Sequence, residues 1–331
     1  MMPSISVIVC TKGSADELSA CLKALLKQQY PAMEIVVIDI LPEDTGTQVL
    51  MRNRFPGCRY VSGPELGLAG ARNLGIAESY GDILSFIDDG SRPLTGWSRA
   101  VAQSFAENPK LGCCTGPVLP MEFKTRAQRL LEERGGFSKG FARVVFGRNS
   151  HTPTEAYPVQ NWKFGAGSNM SFRRSAFLRI GGFDTSIRSE EDLEIFFRVV
   201  RADFEILYEP RAIVFHRYPR TYKELRRTLH LWGHGYISAL LKIAEIDPLY
   251  RRKALSEASS WFWAFHLRDR LCGGFTGKRR RFPPGLVLAE VSGGARAMVE
   301  YMLYRPRKRG EESLLTPRFF SPFIRLLRRW T

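Results

Sequence analysis

No stretch of about 18 uncharged apolar residues occurs in this 331-residue chain, which argues against a membrane-spanning helix. The apolar run that starts at Ile5 is too short and wrongly flanked for a signal peptide. Six cysteines, at 10, 21, 58, 113, 114 and 272, form no CxxC pair and no metal-ligand spacing, so a reduced, cytosolic compartment is expected. No GxGxxG opens the first helix, which disfavours a dinucleotide fold, and no GxxxxGK[ST] appears, which disfavours a P-loop. Acids are scarce toward the C-terminus: residues 217–331 hold 9 Asp and Glu against 24 Lys and Arg, while residues 1–216 hold 24 against 25. Nearly all of the net charge of +16 therefore lies in the last third. Such a charge implies an anionic partner, either nucleic acid or an anionic membrane surface.

What is present is a globular composition, 44% hydrophobic and 25% charged, enough for one large core or two smaller ones. Ile5–Cys10 is a continuous apolar run, as expected of a strand buried on both faces. Ser14 and Glu17 read as a capping box before a helix with Leu18, Leu22, Leu25 and Leu26 on one face. Further strands are expected at Glu34–Asp39, Arg59–Ser62 and Ile83–Asp88, with helices over Thr47–Arg54 and Ala69–Ser79. Alternating strands and helices predict an α/β fold, a mostly parallel sheet covered on both faces. Ligands of such sheets lie at the carboxyl ends of the strands, where Thr11, Asp39, Asp88 and Asp89 fall.

The stretch GGFDTSIRSEEDLEIFFR, residues 181–198, places Glu190, Glu191, Asp192 and Glu194 at the head of an apolar helix. Leu193, Phe196, Phe197 and Val200 form its buried face, and Ser189 with Asp192 matches a capping box. Acids there also suit the helix dipole, by roughly 0.3–1 kcal/mol each. On an ideal helix Asp192 lies at the margin of the apolar face and Glu191 points outward. The residues alone thus allow a purely structural role.

The order SVIVCTKGSADELSACLKALLKQQYPAMEIVVID, LGLAGARNLGIAESYGDILSFIDDG, FGAGSNMSFRRSAFLRIGGFD and SEEDLEIFFRV resembles glycosyltransferase family 2. The resemblance runs from about residue 4 to His216 and implies a GT-A fold, a Rossmann-like mostly parallel sheet, and sugar transfer from a nucleotide-sugar. It implies that Asp192 of the Glu191-Asp192 pair is the general base of an inverting transfer. Donor binding would fall to Thr11, Asp39, Arg72, Asp88 and Asp89. Asp39 equally suits a plain strand end, and Arg72, in the "ARN" that ends at Asn73, equally suits a helix surface. Where the family has a DxD-type acid, this sequence has Gly90, and where it has a second acid after Asp39, this sequence has Ile40. A divalent cation, Mg²⁺ or Mn²⁺, is implied with Asp89 and His216 as ligands, and Gly90 leads us to expect weak or unusual metal dependence. Trp162 and Gly167 are read as acceptor contacts, Gly167 by letting backbone approach a sugar and Trp162 by stacking, although core packing suits Trp162 equally.

The basic region is expected to be helical over Thr221–Lys242 and again over Pro248–Cys272, with a basic loop at Lys278–Arg281 and a charged linker at 305–312. In residues 318–331, Phe323, Ile324, Leu326, Leu327 and Trp330 fill one helical arc and Arg325, Arg328 and Arg329 the other, the pattern of a helix that lies in a membrane interface or packs back on the protein. The expected organisation is a GT-A domain over 1–220, with a nucleotide-sugar half to about 115 and an acceptor half over 116–220, then a membrane-associating region over 221–331. The expected partners are a nucleotide-sugar, a lipid-linked or polysaccharide acceptor and an anionic membrane surface, at the inner face of the cell membrane. Two rivals stand beside this: a non-catalytic binding module of the same shape, and a nucleic-acid-binding protein. The second is disfavoured because the aromatics of the tail sit on helical apolar faces and not on a stacking sheet.

Overall fold

The computed structural model describes residues 2–41, 45–63, 67–148, 158–264, 266 and 282–304. The described residues fall into two compact units. The first takes in those of Met1–Lys124, Leu131–Pro153 and Asn161–Tyr218, the second those of Thr125–Leu130, Thr154–Gln160 and Pro219–Thr331.

The chain begins with β1 (Ile5–Thr11), α1 (Ala15–Leu26), β2 (Met33–Asp39), α2 (Thr45–Arg54), β3 (Arg59–Ser62), α3 (Leu68–Ala77) and β4 (Ile83–Asp88). Next come β5 (Ser91–Pro93), α4 (Trp97–Glu107), β6 (Leu111–Thr115), β7 (Val118–Pro120), α5 (Arg126–Arg134) and β8 (Val144–Phe146). Then follow β9 (Asn169–Arg173), α6 (Phe177–Ile180), α7 (Glu191–Arg201), β10 (Glu205–Tyr208) and β11 (Val214–His216). The helices α8 (Tyr222–Ile246), α9 (Arg251–Ser260) and α10 (Pro284–Tyr304) belong to the second unit.

Eight strands form one sheet in the order β3-β2-β1-β4-β9-β6-β10-β8, and β5-β11-β7 form a small second sheet. The four strands expected in the first quarter of the chain all form, and β1 pairs in parallel with β2 and with β4. The apolar character of β1, β2 and β4 follows from burial on both faces, where Val7, Ile8, Val9, Val36, Val37 and Phe86 are buried. The register sets Thr11 beside Asp39 and Cys10 beside Asp88, so the polar strand ends share one edge.

Two departures from parallel order bring distant segments to that edge. Strand β9 runs antiparallel to β4 with Asn169 opposite Ile87, so the turn at 165–168 arrives at the carboxyl end of β4. Strand β11 runs antiparallel to β5 with His216 opposite Ser91, one residue beyond the Asp88-Asp89-Gly90 turn. An aromatic cluster of Phe86, Phe172, Phe177 and Phe183, with ring centroids 5.1 to 6.5 Å apart, packs beneath this region.

Helix α8 covers the expected Thr221–Lys242 segment and extends to Ile246. It packs so closely on α10 that a Cβ at Gly233 would run into the Glu290 carbonyl, and one at Gly293 into that of His230. Part of the helix expected over 248–272 is present as α9; its end, the basic loop at Lys278–Arg281, the linker and residues 318–331 lie outside the described residues. Among the described residues no helix is long and apolar enough to cross a membrane.

Candidate active site

Arg72 is the centre of the site. It projects from α3 and is only 4% exposed. Its Nη1 pairs with Glu191 Oε1, and its Nη2 lies 3.5 Å from Asp88 Oδ1 and donates at 3.3 Å to the Gly167 carbonyl. Its guanidinium lies 5.4 Å from the Phe183 ring centroid, a cation–π contact. Burial alone would lower the Arg72 pKa, but Glu191 and then Asp88 raise it above its ordinary value, so the cation is held charged. One side chain therefore joins the end of β4, the turn before β9 and the start of α7.

Helix α7 does not begin as the sequence pattern suggested. Its N-cap is Glu190, in the left-handed region at φ 59°, with no side-chain cap hydrogen bond, and not Ser189. Left-handed backbone is uncommon for a residue with a Cβ and costs of order 1–3 kcal/mol. Glu191 does not point outward: it is 2% exposed, drawn inward by Arg72. The capping box read at Ser14 and Glu17 is likewise absent, because Glu17 turns to Arg92 at 2.8 Å and Arg217 at 3.0 Å.

Asp192 is 7% exposed. Burial, then the neighbouring Glu191, push its carboxyl up to about 6, against the opposing pull of Arg72. One oxygen accepts the Leu193 N–H at 3.0 Å. The other would lie 3.1 Å from a Cβ at residue 167, so Gly167 permits the approach of the turn to the carboxylate. Glu190 is also pushed well above the ordinary range, by burial and then by Asp192 and Glu191.

Asn73 positions this helix start, and periodicity carried no signal for its role. Its side chain accepts the Phe183 N–H at 2.7 Å and donates to the Phe183 carbonyl at 2.9 Å. A Cβ on Gly182 would collide with the same amide, which explains the glycine before Phe183. The ARN triplet thus works as a unit, Arg72 on the acids and Asn73 on the loop that precedes them.

At the other end of the site, Thr11 Oγ1 donates to Asp89 Oδ2 at 2.8 Å. His216 Nε2 lies 3.4 Å from Asp88 Oδ2, so the carboxylate in contact with His216 is Asp88, where the sequence pattern paired His216 with Asp89. Desolvation raises the Asp88 carboxyl, but hydrogen bonding to His216 and the charge of Arg72 bring it below its ordinary value. Desolvation, opposed by Thr11 and reinforced by Asp88, holds Asp89 above its own. Asp39 stands apart: it is 0% exposed, accepting from the Tyr60 hydroxyl at 2.8 Å and the Leu41 N–H at 3.0 Å.

A divalent cation fits this end in part. Asp88 and His216 supply an oxygen and a nitrogen donor, and His216 Nδ1 is buried without a hydrogen-bond partner. Among the described residues no three His, Cys, Asp or Glu side chains gather closely enough to hold an ion alone. A Cβ at Gly90 would meet nothing closer than 3.8 Å and would point toward His216 Nε2 at 4.0 Å, so a third acid there has room but is missing. Remaining coordination has to come from a ligand, as is usual for Mg²⁺ held by one or two carboxylates and substrate phosphates.

Trp162, in a short 3₁₀ turn ahead of Gly165-Ala166-Gly167, is 41% exposed. The model of the family described as "Glycosyl transferase family 2" matches residues 6–181. The chain belongs to that family. Among curated proteins it is similar to glucosyl-dolichyl phosphate glucuronosyltransferase of Haloferax volcanii, 24% identical over 203 residues. That alignment covers 58% of this chain and 59% of the archaeal protein, so two-fifths of the relative has no counterpart in the match. Among solved structures it is similar to the Pyrobaculum calidifontis mannosyltransferase PcManGT in complex with GDP-Man and Mn²⁺, at 16% identity and TM-score 0.56, over 100% of this chain and 84% of that one. It is also similar to S. aureus TarS 1-349, at 12% identity and TM-score 0.52, over 95% of this chain and 99% of that one. These likenesses show the fold, the GT-A arrangement of a mostly parallel α/β sheet.

Proposed function

We propose that the chain transfers a glycosyl group from a nucleoside-diphosphate sugar to a hydroxyl of a lipid-linked or glycan acceptor, with inversion. The observation that carries this reading is the buried carboxylate of Asp192, pushed up to about 6 and set against the Gly167 turn on the edge where strand-end ligands bind. Asp192 takes the proton of the acceptor hydroxyl as that oxygen bonds to the anomeric carbon. The bond from that carbon to the diphosphate breaks in line, and the nucleoside diphosphate departs. Glu191 holds Arg72, and Arg72 fixes the distance between the base and Asp88. Asp88 and His216 would hold a divalent cation, which neutralises charge on the departing diphosphate when bound. Thr11 and Asp89 face the same ligand in this reading. The Mn²⁺ and GDP-Man of PcManGT support the cation and donor class, and the archaeal relative's name supports a lipid-linked acceptor. The positive charge of residues 217–331 supports docking on an anionic membrane surface at the cytoplasmic face.

A binding module that holds donor without transferring it is the second reading, favoured by Gly90 and by the complete burial of Asp39. Asp192→Asn separates the two. The change is expected to lower transfer by on the order of 10²–10⁴ while donor affinity stays within a few-fold. Near wild-type turnover in that variant would remove Asp192 as the base. Donor binding with no transfer by the wild type would select the second reading.

A further inference from the structure

Helix α10 packs on α8 by one arc and leaves the opposite arc exposed. Leu286, Gly293 and Ala297 lie on the buried arc, which meets the α8 backbone at Gly293. On the other arc Leu288, Val299, Met302 and Leu303 are 58%, 48%, 45% and 70% exposed. On an ideal helix these four fall within about 100° of one another and span about 22 Å along the axis. Arg296 is the single charged side chain among the exposed described residues of α10, and Glu300 pairs with it at 2.8 Å.

At Leu288 this apolar stripe runs into a groove of ≈ 400 Å³ between the two helices, lined by Tyr222, Arg226, Gly285, Leu288, Ala289 and Ser292. A Cβ on Gly285 would come within 3.2 Å of the Tyr222 hydroxyl, so the glycine keeps that part of the groove open. Ser292 donates to the Ala289 carbonyl at 2.8 Å, whereas among the described residues Tyr222 and Arg226 have no hydrogen-bond or ion-pair partner. The exposed Lys223 and Arg227 of the same helix end have none there either. The acid among them, Glu224, is committed to the helix cap, accepting the Arg220 N–H at 2.8 Å and the Thr221 N–H at 3.4 Å. The start of α8 thus sets uncompensated positive charge beside the stripe.

We propose that the exposed arc of α10 and the α8–α10 groove form a docking face for an anionic phospholipid bilayer, with a lipid phosphate in the groove and the arc among the acyl chains. The inference rests on the membrane-docking part of the reading above and names the face that does it; it does not depend on glycosyl transfer. The guanidinium of Arg226 offers a phosphate two parallel donors, and Tyr222, with an apolar ring and a polar tip, suits the headgroup level. An apolar stripe bordered by Lys and Arg is what a helix lying in a bilayer interface presents. Among the described residues no helix crosses a bilayer, so the contact is one of surface. Nucleic acid would meet the charges and leave Leu288, Val299 and Leu303 in water. A second copy of the chain fits poorly, because a stripe about 22 Å long and about 10 Å wide falls far short of the roughly 800 Å² per partner that a stable dimer buries.

The test is flotation of the full-length protein with vesicles of phosphatidylcholine, with and without phosphatidylglycerol, each variant being checked for folding by circular dichroism. Wild type is expected to partition onto the anionic vesicles. Leu288→Glu combined with Val299→Glu is expected to weaken that partition about tenfold or more, since burying one such side chain is worth about a decade of affinity. Arg226→Glu is expected to cut the preference for phosphatidylglycerol about tenfold. Leu303→Trp, which puts an interfacial side chain on the stripe, is expected to tighten binding, so the face is also tested by a gain. If wild type ignores both kinds of vesicle, the membrane-docking reading itself fails, and this face with it. If wild type binds, the stripe variants bind equally and only Arg328→Glu with Arg329→Glu releases the protein, docking belongs to the tail and this face alone is overturned. Dimerisation without vesicles that Leu288→Glu abolishes, or binding of duplex DNA in place of vesicles, would overturn it as well.

Discussion

Helices α7 and α8 both begin with acids, and they use them in opposite ways. At α8, Thr221 accepts the Glu224 N–H at 3.1 Å, and the Glu224 side chain accepts the Thr221 N–H at 3.4 Å, a complete capping box on an exposed turn. At α7, the cap residue is left-handed with no side-chain bond, and the acids that follow are buried. The first arrangement satisfies orphan backbone donors and nothing more. The second spends stability: it holds three carboxylates together, with Glu190 and Asp192 above their ordinary pKa range and Glu191 paired with Arg72. Strain and like charges gathered at one point of an otherwise well-packed fold mark a site shaped by chemistry.

The comparison breaks if α7 tolerates loss of its ion pair. Arg72→Leu removes the cation that faces Glu191 in a closed environment, and losing one partner of a buried pair costs about 3–5 kcal/mol. Urea unfolding should show that loss, and transfer should fall with it. A loss below about 1 kcal/mol would place the pair in the surface class and the contrast would go. Thr221→Ala provides the smaller effect. Removing the cap at α8 should cost about 1 kcal/mol in the same unfolding measurement and leave the transfer rate unchanged. A rate that falls with Thr221→Ala would show that the first turn of α8 also serves the reaction.

Much of this was legible in the sequence, for physical reasons that differ by element. Strands β1, β2 and β4 announce themselves because burial on both faces demands an unbroken apolar run, and the polar residues ending them fall at the ligand edge. The ordered motifs carry the resemblance from about residue 4 to His216, and the family model matches residues 6–181 of that stretch. Local pattern misled at both expected capping boxes, since a Ser followed by an acid three residues on says nothing of competing cations. Glu17 is claimed by Arg92 and Arg217, distant in sequence, and α7 is capped at Glu190, which puts Ser189 and Asp192 out of capping register. The contact of His216 with Asp88 and the clamp of Asn73 on Phe183 were out of reach for the same reason, being set by strand order across more than 100 residues.

The most direct measurement is the pH dependence of kcat/KM for transfer. Asp192 acts only when ionised, and its carboxyl is pushed up to about 6 from the ordinary value of 3.8. The rate should therefore rise tenfold per pH unit below about 6 and level off above it. The same shift fixes the sign for folding. A raised carboxyl contributes stability below its unfolded value that is lost as pH rises through about 6, so Asp192→Asn should not lower the unfolding free energy at pH 7.5. An acid limb near 6 in the wild type, absent from the residual activity of a fully folded Asp192→Asn, is the result expected. A wild-type profile flat from pH 4.5 to 7.5, or the same limb in the variant, would contradict the assignment of Asp192 as the base.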